Sequence, residues 1–397
     1  MTIGIDIRVL AKGTRTGIEE YVLNLLPRLL SLDGKVKYKL FYNAFKKVKL
    51  DYPWLDLPNV ELCEFKIPNR LFFASARYLG QPKIDKLLKG IDIYFNPHFF
   101  VAPVSLECKK VITFHDLSFE HHPQLFSHRK ILWQKFLMNT KQEAKKADKI
   151  MADSFSTKED LVNIYKIDPA KIKVVYLGVS KDFKPIKKDS PQLKKVRKKY
   201  SLPVSPAGGP KPFILYFGTI EPRKNLILLI KAFEALKEKT IWKDFEKDVF
   251  SDLKLVIAGV KGWLYKDIFK EVENSKYKKD IIFTGFIEDK DKPYLYNLAN
   301  LFVYPSFFEG FGFPPLEAMA CGVPTIVSNA SSLPEIVGDG AVMIDPYNVD
   351  ELSFAIRKVL EDKDLRENLI KKGLKQAKKF SWYKTAQEVL RVFLAKP

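Results

Sequence analysis

Cysteine is scarce in this chain of 397 residues, with Cys63, Cys108 and Cys321 the full set. They lie far apart, are odd in number and form no CxxC pair, so a reduced chain fits better than a disulfide-stapled scaffold. No stretch approaches the ~18 consecutive apolar residues of a membrane-crossing helix. The opening MTIGIDIRVL has no cationic stretch ahead of an apolar one. It does not read as a secretory signal, and a cytoplasmic protein is expected. Short-period repeats and low-complexity tracts are missing as well. Acidic residues are outnumbered, 47 Asp and Glu against 67 Lys and Arg, which leaves a net charge of +20.

What is present suits a globular chain with a large core. Hydrophobic residues make up 46%, charged residues 29% and aromatics 13%, with Phe (30) and Tyr (17) dominating the last group. At roughly 100–200 residues per domain the length argues for two domains. The cationic excess suits anionic partners: nucleic acid, acidic lipid or phosphorylated small molecules. The competing account is Lys spread over every exposed face.

Apolar periodicity sets the organisation. A period-2 stretch, Ile3–Val9, is followed by a loop with Gly13 and Gly17. Ile18, Tyr21, Val22, Leu25, Leu26, Leu29 and Leu30 then recur at helical spacing. Further strand-like runs are expected at 38–42, 60–67, 91–95, 111–114, 150–152 and 171–175, with helical patterns between several of them. This alternation predicts βαβ units and a parallel sheet. From about Ser180 to Pro212 Pro, Gly and Lys take over, marking a boundary with a short basic helix inside it. A second series follows, with strands expected at 213–217, 253–258, 281–284, 301–304, 325–328 and 341–344. Helices are expected at 226–237, 316–321 and 349–360. The chain therefore reads as α/β, with two similar halves in tandem. In such sheets ligands bind beyond the carboxyl ends of the strands.

The densest chemical signal is PSFFEGFGFPPLEAMACGVP, residues 305–324. Glu309 precedes a bend with Gly310 and Gly312. Pro314 and Pro315 pre-set a helix start, and Glu317 is expected in that helix's first turn. Backbone N–H groups at such a bend suit an oxygen-rich or anionic ligand, and the two carboxylates can accept hydrogen bonds from sugar-like hydroxyls. The plainer account makes Glu317 a complement to the helix dipole and leaves Glu309 solvated.

The E-x7-E spacing inside EGFGFPPLEAMACGVP resembles the signature of family 4 retaining glycosyltransferases, and the resemblance covers nearly the whole chain. It implies the GT-B fold, two facing Rossmann-like domains with a deep interdomain cleft. The expected division is 1–185 for acceptor binding, 186–212 as linker and 213–380 for the nucleotide sugar, with a C-terminal helix at about 381–397 packing back on the first domain. YFGTIEPRKN, residues 216–225, resembles the diphosphate-binding strand–loop–helix. Arg223 and Lys224 precede a helix N-terminus, where a leaving diphosphate gains charge. Many members carry Arg immediately after the glycine, where this chain has Thr219. Neutralisation then rests on Arg223 with Lys224, or on Lys224 alone.

The resemblance further implies that His115, in VITFHDLSF, lies against the donor sugar and stabilises oxocarbenium charge by its carbonyl or its side chain. It implies donor contacts at Gly17, Gly218, Thr219, Gly259, Phe286, Ile287, Phe311, Gly312 and Phe313, with Glu309 on the hexose and Glu317 on the ribose. In the first loop Glu19 stands where a second glycine is common. All five histidines fall within residues 98–128. Their spacing matches no standard zinc pattern, so no metal site is expected, and no cofactor beyond the nucleoside diphosphate sugar, which is a substrate.

The expected reaction transfers a hexose to a saccharide or lipid-linked acceptor in cell-surface glycan synthesis. The GTIEPRKN variant resembles mannosyltransferases of polysaccharide and lipopolysaccharide assembly, which points to GDP-mannose, with a UDP-sugar as the alternative donor. Two rivals remain at this stage. One is a glycoside hydrolase using the two carboxylates as acid and base. The other is a basic nucleic-acid-binding protein, which no zinc finger, helix-turn-helix or RNP-like motif supports. The positive charge also suits peripheral contact with the anionic inner membrane face.

Overall fold

The computed structural model describes residues 1–12, 17–45, 50–205, 209–238 and 250–395. Gly13 of the first loop, residues 206–208 of the expected linker and the last two residues of the expected C-terminal helix lie outside the described residues. The chain divides into two compact units. Unit 1 comprises Met1–His121, His128–Gly178 and Phe380–Pro397; unit 2 comprises His122–Ser127 and Val179–Lys379.

Unit 1 is built on seven parallel strands: β1 (Thr2–Asp6), β2 (Lys37–Asn43), β3 (Val60–Phe65), β4 (Ile93–Asn96), β5 (Lys109–Phe114), β6 (Lys149–Ala152) and β7 (Ile172–Val174). Their order is β3-β2-β1-β4-β5-β6-β7. The first strand ends sooner than its alternation predicts. Arg8 donates its backbone N–H to Asp6 Oδ1 at 3.0 Å, and its guanidinium forks onto the same carboxylate. This Asx-type turn stops the strand and starts a 3-10 turn, Arg8–Lys12. The Gly17–Leu29 helix buries Tyr21, Val22, Leu25, Leu26 and Leu29, the face its 3.6-residue spacing predicts. The Trp382–Leu394 helix belongs to this unit and packs on Gly17–Leu29.

Unit 2 has six parallel strands: β8 (Phe213–Phe217), β9 (Lys254–Ala258), β10 (Ile281–Gly285), β11 (Leu301–Tyr304), β12 (Thr325–Ser328) and β13 (Val342–Ile344). Their order is β10-β9-β8-β11-β12-β13. Central strands such as LFVY in β11 are buried throughout, as expected of a sheet covered on both faces. In both units the strand order reverses beside the first strand, the Rossmann-like arrangement.

The stretch expected as a linker is instead part of unit 2. Its Pro191–Lys199 helix packs on the Lys292–Leu298 helix, and Asn297 Oδ1 accepts from the Ile186 N–H at 2.7 Å. The short segment His122–Ser127 also belongs to unit 2, where Phe126 stacks on Trp263 and the Trp263 indole donates to the Leu125 carbonyl at 2.8 Å.

Candidate functional site

In unit 2 the strand order reverses between β8 and β11, and the loops leaving those two strands hold the main charged cluster. The β8 loop tightens into a 3-10 turn, Pro222–Lys224, and passes through a left-handed Asn225 into the Leu226–Lys237 helix. Asn225 Nδ2 donates to the Pro305 and Pro346 carbonyls, tying this turn to the neighbouring loops. Lys224 Nζ donates to Glu309 Oε1 and to the Tyr304 hydroxyl, both at 2.6 Å. Arg223 donates to Glu309 Oε2 at 3.1 Å and to the Phe308 carbonyl at 2.6 Å, and it pairs with Glu221 at 3.0 Å. The structure thus brings together three of the four residues expected to be catalytic, Arg223, Lys224 and Glu309, while the fourth, His115, belongs to unit 1.

These charges set one another's ionisation. Burial alone would push the Glu309 carboxyl up. The guanidinium of Arg223 and the ammonium of Lys224 outweigh it and hold the carboxyl at about 2. Lys224 is shifted down, by burial first and by Arg223 second. An ammonium has three protons, and among the described residues this one meets two hydrogen-bond acceptors, so its third N–H suits an incoming oxygen anion.

Glu317 departs from its expected place. The helix begins at Phe313 behind a left-handed Gly312 (φ 102°), with no acidic residue in its first turn. Glu317 therefore sits beyond the positive end of the dipole, buried, with Oε2 accepting from the Tyr296 hydroxyl at 2.7 Å. Pro314 and Pro315 carry no N–H, so donors at this helix start come from the residues around Gly312. Phe311 is buried, with its carbonyl accepting from Ser332, while Phe313 is half-buried.

The glycine-bearing loops meet by backbone. Gly218 N–H donates to the Ala258 carbonyl at 3.0 Å, and a Cβ on Gly259 (φ 137°) would lie 1.9 Å from the Gly218 carbonyl oxygen. Only glycine tolerates that approach. Thr219 is half-buried, and its carbonyl accepts from the Tyr216 hydroxyl at 3.1 Å. Past β10, Phe286 is 60% exposed while Ile287 is buried. The backbone N–H of Glu288 donates to the Tyr200 hydroxyl at 3.1 Å, and that hydroxyl donates to Asp291 at 2.8 Å.

In unit 1, His115 follows β5. Its Nδ1 lies 2.6 Å from Asp153 Oδ2 and its Nε2 lies 2.8 Å from the Pro97 carbonyl. Both partners are acceptors, so the geometry is satisfied by the doubly protonated ring. Burial opposes that charge, but Asp153 outweighs it and the His115 pKa is raised. A cationic ring is the wrong group to stabilise an oxocarbenium ion. The carbonyl, which accepts from Thr157 Oγ1 at 3.3 Å, is the better of the two groups. Gly17 is exposed at the start of its helix, with open space around its Cβ position. His121 pairs with Asp160, and among the described residues no group of three or more His, Cys, Asp or Glu is placed to hold a metal.

Sequence reading missed Tyr304, Glu221, Tyr200, Tyr296 and Asp153. Tyr304 and Tyr296 look like core aromatics because their rings are core. Only the hydroxyls reveal a role, and periodicity does not see hydroxyls. Glu221 was open to detection, lying two residues before Arg223 in a loop already flagged.

Comparison with known proteins bears on family and fold. Residues 201–376 match the model "Glycosyl transferases group 1", and residues 15–183 match "Glycosyltransferase Family 4". The O-antigen chain mannosyltransferase B of Escherichia coli is 32% identical over 397 residues, covering 95% of this chain and 96% of that protein. Among solved structures, sucrose-phosphate synthase from Thermosynechococcus elongatus superposes with a TM-score of 0.74 at 18% identity, covering 99% of this chain and 98% of that one. The Anabaena protein Alr3699/HepE, solved with UDP and glucose, gives 0.71 at 16% identity, covering 100% and 99%. At these identities the structures speak for the fold alone.

Proposed function

The chain belongs to the family 4 glycosyltransferases of the GT-B fold, and on that premise we propose that it is a retaining hexosyltransferase that moves mannose from GDP-mannose to a saccharide or lipid-linked acceptor in cell-surface polysaccharide assembly. The observation that carries this reading is the Arg223–Lys224–Glu309 cluster at the strand-order reversal of unit 2. Two cations share one carboxylate there. A diphosphate arriving at the cluster meets charge-assisted donors, and those donors gain most when the sugar–phosphate bond breaks and the leaving oxygen becomes anionic.

In the proposed step the bond from the anomeric carbon to the diphosphate oxygen breaks as the acceptor oxygen bonds to that carbon on the same face. The acceptor proton passes to the departing diphosphate. Arg223 and Lys224 hold the diphosphate. Glu309, with the Phe311–Phe313 backbone, holds the hexose, and Glu317 holds the ribose. Gly218, Thr219 and Gly259 give the backbone close approach, and the loop at Phe286 and Ile287 reads the base. Gly17 and the His115 carbonyl are the contacts assigned to unit 1. No resident metal or cofactor has a part in the step.

The mannose assignment rests on the Escherichia coli relative and on the GTIEPRKN variant. The charge of +20 supports peripheral attachment to the anionic inner membrane face. Among the described residues no helix is long and apolar enough to cross a membrane. Glycoside hydrolysis fits poorly. A carboxyl held at about 2 donates no proton at neutral pH, so Glu309 is unsuited to act as the general acid. A mass-spectrometric assay against a panel of sugar nucleotides tests the reading. Transfer from GDP-mannose that falls strongly in both Glu309→Ala and Lys224→Ala is expected. Products from UDP-sugars alone would refute the donor, and normal turnover in both variants would refute the mechanism.

A further inference from the structure

Two loops at the carboxyl ends of unit 2's strands carry aromatic rings that the transfer chemistry does not use. The loop after β11 holds Phe307, which is half-buried, and the loop after β13 holds Tyr347, which is 71% exposed. The two ring centroids lie 5.1 Å apart, with the planes tilted by 36°. Phe307 also meets the ring of His122, which belongs to the same unit, at 6.3 Å.

The backbone beneath both rings is fixed. The Phe307 N–H donates to the Arg223 carbonyl at 3.0 Å, and the carbonyl of Phe308 accepts from the Arg223 guanidinium at 2.6 Å. Pro346 is buried, with its carbonyl accepting from Asn225 Nδ2 at 2.7 Å, and the Tyr347 N–H donates to Asp345 Oδ1 at 2.9 Å. Asn348 then caps the Val349–Glu361 helix, its Oδ1 accepting from the Glu351 N–H at 3.0 Å. Tyr347 is thus pinned on both sides while its ring is left in solvent. A scattered apolar side chain on a surface needs no explanation. Here, however, both loops are tied to Arg223 and Asn225, the turn that builds the charged cluster. Phe307 is also only two residues, at most ~7 Å of chain, from Glu309.

We propose that Phe307 and Tyr347 form a stacking subsite for a pyranose ring of the acceptor saccharide. The inference rests on the reading of the chain as a glycosyltransferase and deepens it, because it gives unit 2 a grip on the acceptor's sugar. A pyranose presents C–H groups on its face, slightly positive and apolar, which suit the negative face of an aromatic ring, and it sends its hydroxyls to the rim. Around this ring pair the rim is polar: Asp345, Asn348 and Asp350 are all exposed. Two other occupants fit less well. An acyl chain would be set among those carboxylates. A second nucleotide could stack its base on Tyr347, but its phosphates would face the same acidic rim.

The test is saturation-transfer NMR of the full chain with mannotriose, and with maltotriose as a second saccharide, in the absence of any nucleotide sugar. Transfer from aromatic protons of the protein to the ring protons of at least one saccharide is expected. Tyr347→Ala should weaken that binding about three- to tenfold, the range for one aromatic contact, with an unchanged circular dichroism spectrum. Tyr347→Phe keeps the ring and should bind as the native chain does. In the transfer reaction Tyr347→Ala should raise KM for the acceptor by the same factor, with kcat changed much less and GDP affinity retained. No transfer to either saccharide in the native chain would overturn the proposal, and so would binding that Tyr347→Ala leaves intact. A loss in Tyr347→Phe as large as in Tyr347→Ala would rule out stacking on the ring. A fall in GDP affinity matching the fall in saccharide affinity would give the ring to the nucleotide instead. Saccharide binding is measured here without a donor, so failure of GDP-mannose as donor would refute the donor assignment and leave this subsite standing.

Discussion

Lys224 Nζ lies 2.6 Å from Glu309 Oε1, although 85 residues separate the two along the chain. One residue leaves β8 and the other follows β11, and those strands are neighbours where the sheet order reverses. The ammonium is buried, so a carboxylate beside it is needed to keep it charged. In the proposed reading Glu309 therefore has two tasks, holding Lys224 ready for a diphosphate and offering a carboxylate to hydroxyls. This coupling makes the cluster testable by stability as well as by activity.

Removing one member should cost more than removing both. Lys224→Met leaves Glu309 with Arg223 alone in a buried site, and a loss of about 3 kcal/mol is expected. Lys224→Met/Glu309→Gln should recover part of that loss, giving a coupling energy of about 1–3 kcal/mol in urea denaturation. Because the Glu309 carboxyl is held at about 2 against an ordinary 4.5, its contribution is present above pH 4.5 and is lost as pH falls through 2. Additive losses in the double variant would show that the pair is not coupled.

Much of this was legible beforehand. Each strand of unit 2 stands within a residue or two of its apolar run, because parallel strands covered on both faces are written as continuous Val, Ile, Leu and Phe. The EGFGFPP and EPRK segments were visible because glycine and proline mark backbone geometry that few other residues can take. Three things were hidden. The Asp6–Arg8 turn overrode the alternation of the first strand. The helix after Gly312 starts early enough to carry Glu317 out of its first turn. The stretch 186–212 reads as a linker by composition, yet Tyr200 within it bonds to the loop after β10, a long-range contact that local composition does not encode.

The two glutamates should separate by ligand. If Glu317 holds the ribose, Glu317→Ala should weaken binding of GDP by about ten- to a hundredfold, the range for hydrogen bonds to a charged group. Glu309→Ala removes the proposed hexose contact and also loosens Lys224, so GDP affinity should fall less than in Glu317→Ala, while turnover of GDP-mannose should fall by about 10²–10³. Calorimetric titration with GDP and steady-state rates check the two halves independently. Equal losses of GDP affinity in both variants would reject the division of labour.

His115 should titrate above its ordinary value of 6.5, because Asp153 outweighs the burial that opposes the charge. Its Cε1 proton, followed by NMR, should show a midpoint above 6.5. In Asp153→Asn burial is opposed only by the Pro97 carbonyl and Asp116, and the midpoint should fall. The stabilisation His115 supplies is complete below pH 6.5 and disappears as pH rises through the raised folded value. The stability gap between the native protein and Asp153→Asn should therefore narrow on the alkaline side. A midpoint unmoved by the substitution would show that Asp153 does not set the charge.

Tyr200 should act on the donor without touching it. Its hydroxyl accepts from the Glu288 N–H and donates to Asp291, and Lys199 also pairs with Asp291 at 2.7 Å. Together they pin the turn that follows Phe286 and Ile287. Tyr200→Phe keeps the ring and removes only the hydroxyl, so the loop loses its anchor while the sheet beneath it stays intact. If that loop reads the base, KM for the nucleotide sugar should rise about three- to tenfold, the equivalent of one net hydrogen bond, with kcat changed much less. Amide exchange at Glu288 should quicken in the same variant. Faster exchange with KM unchanged would mean that the loop is anchored by Tyr200 but does not read the base. An unchanged exchange rate would mean that the anchor lies elsewhere.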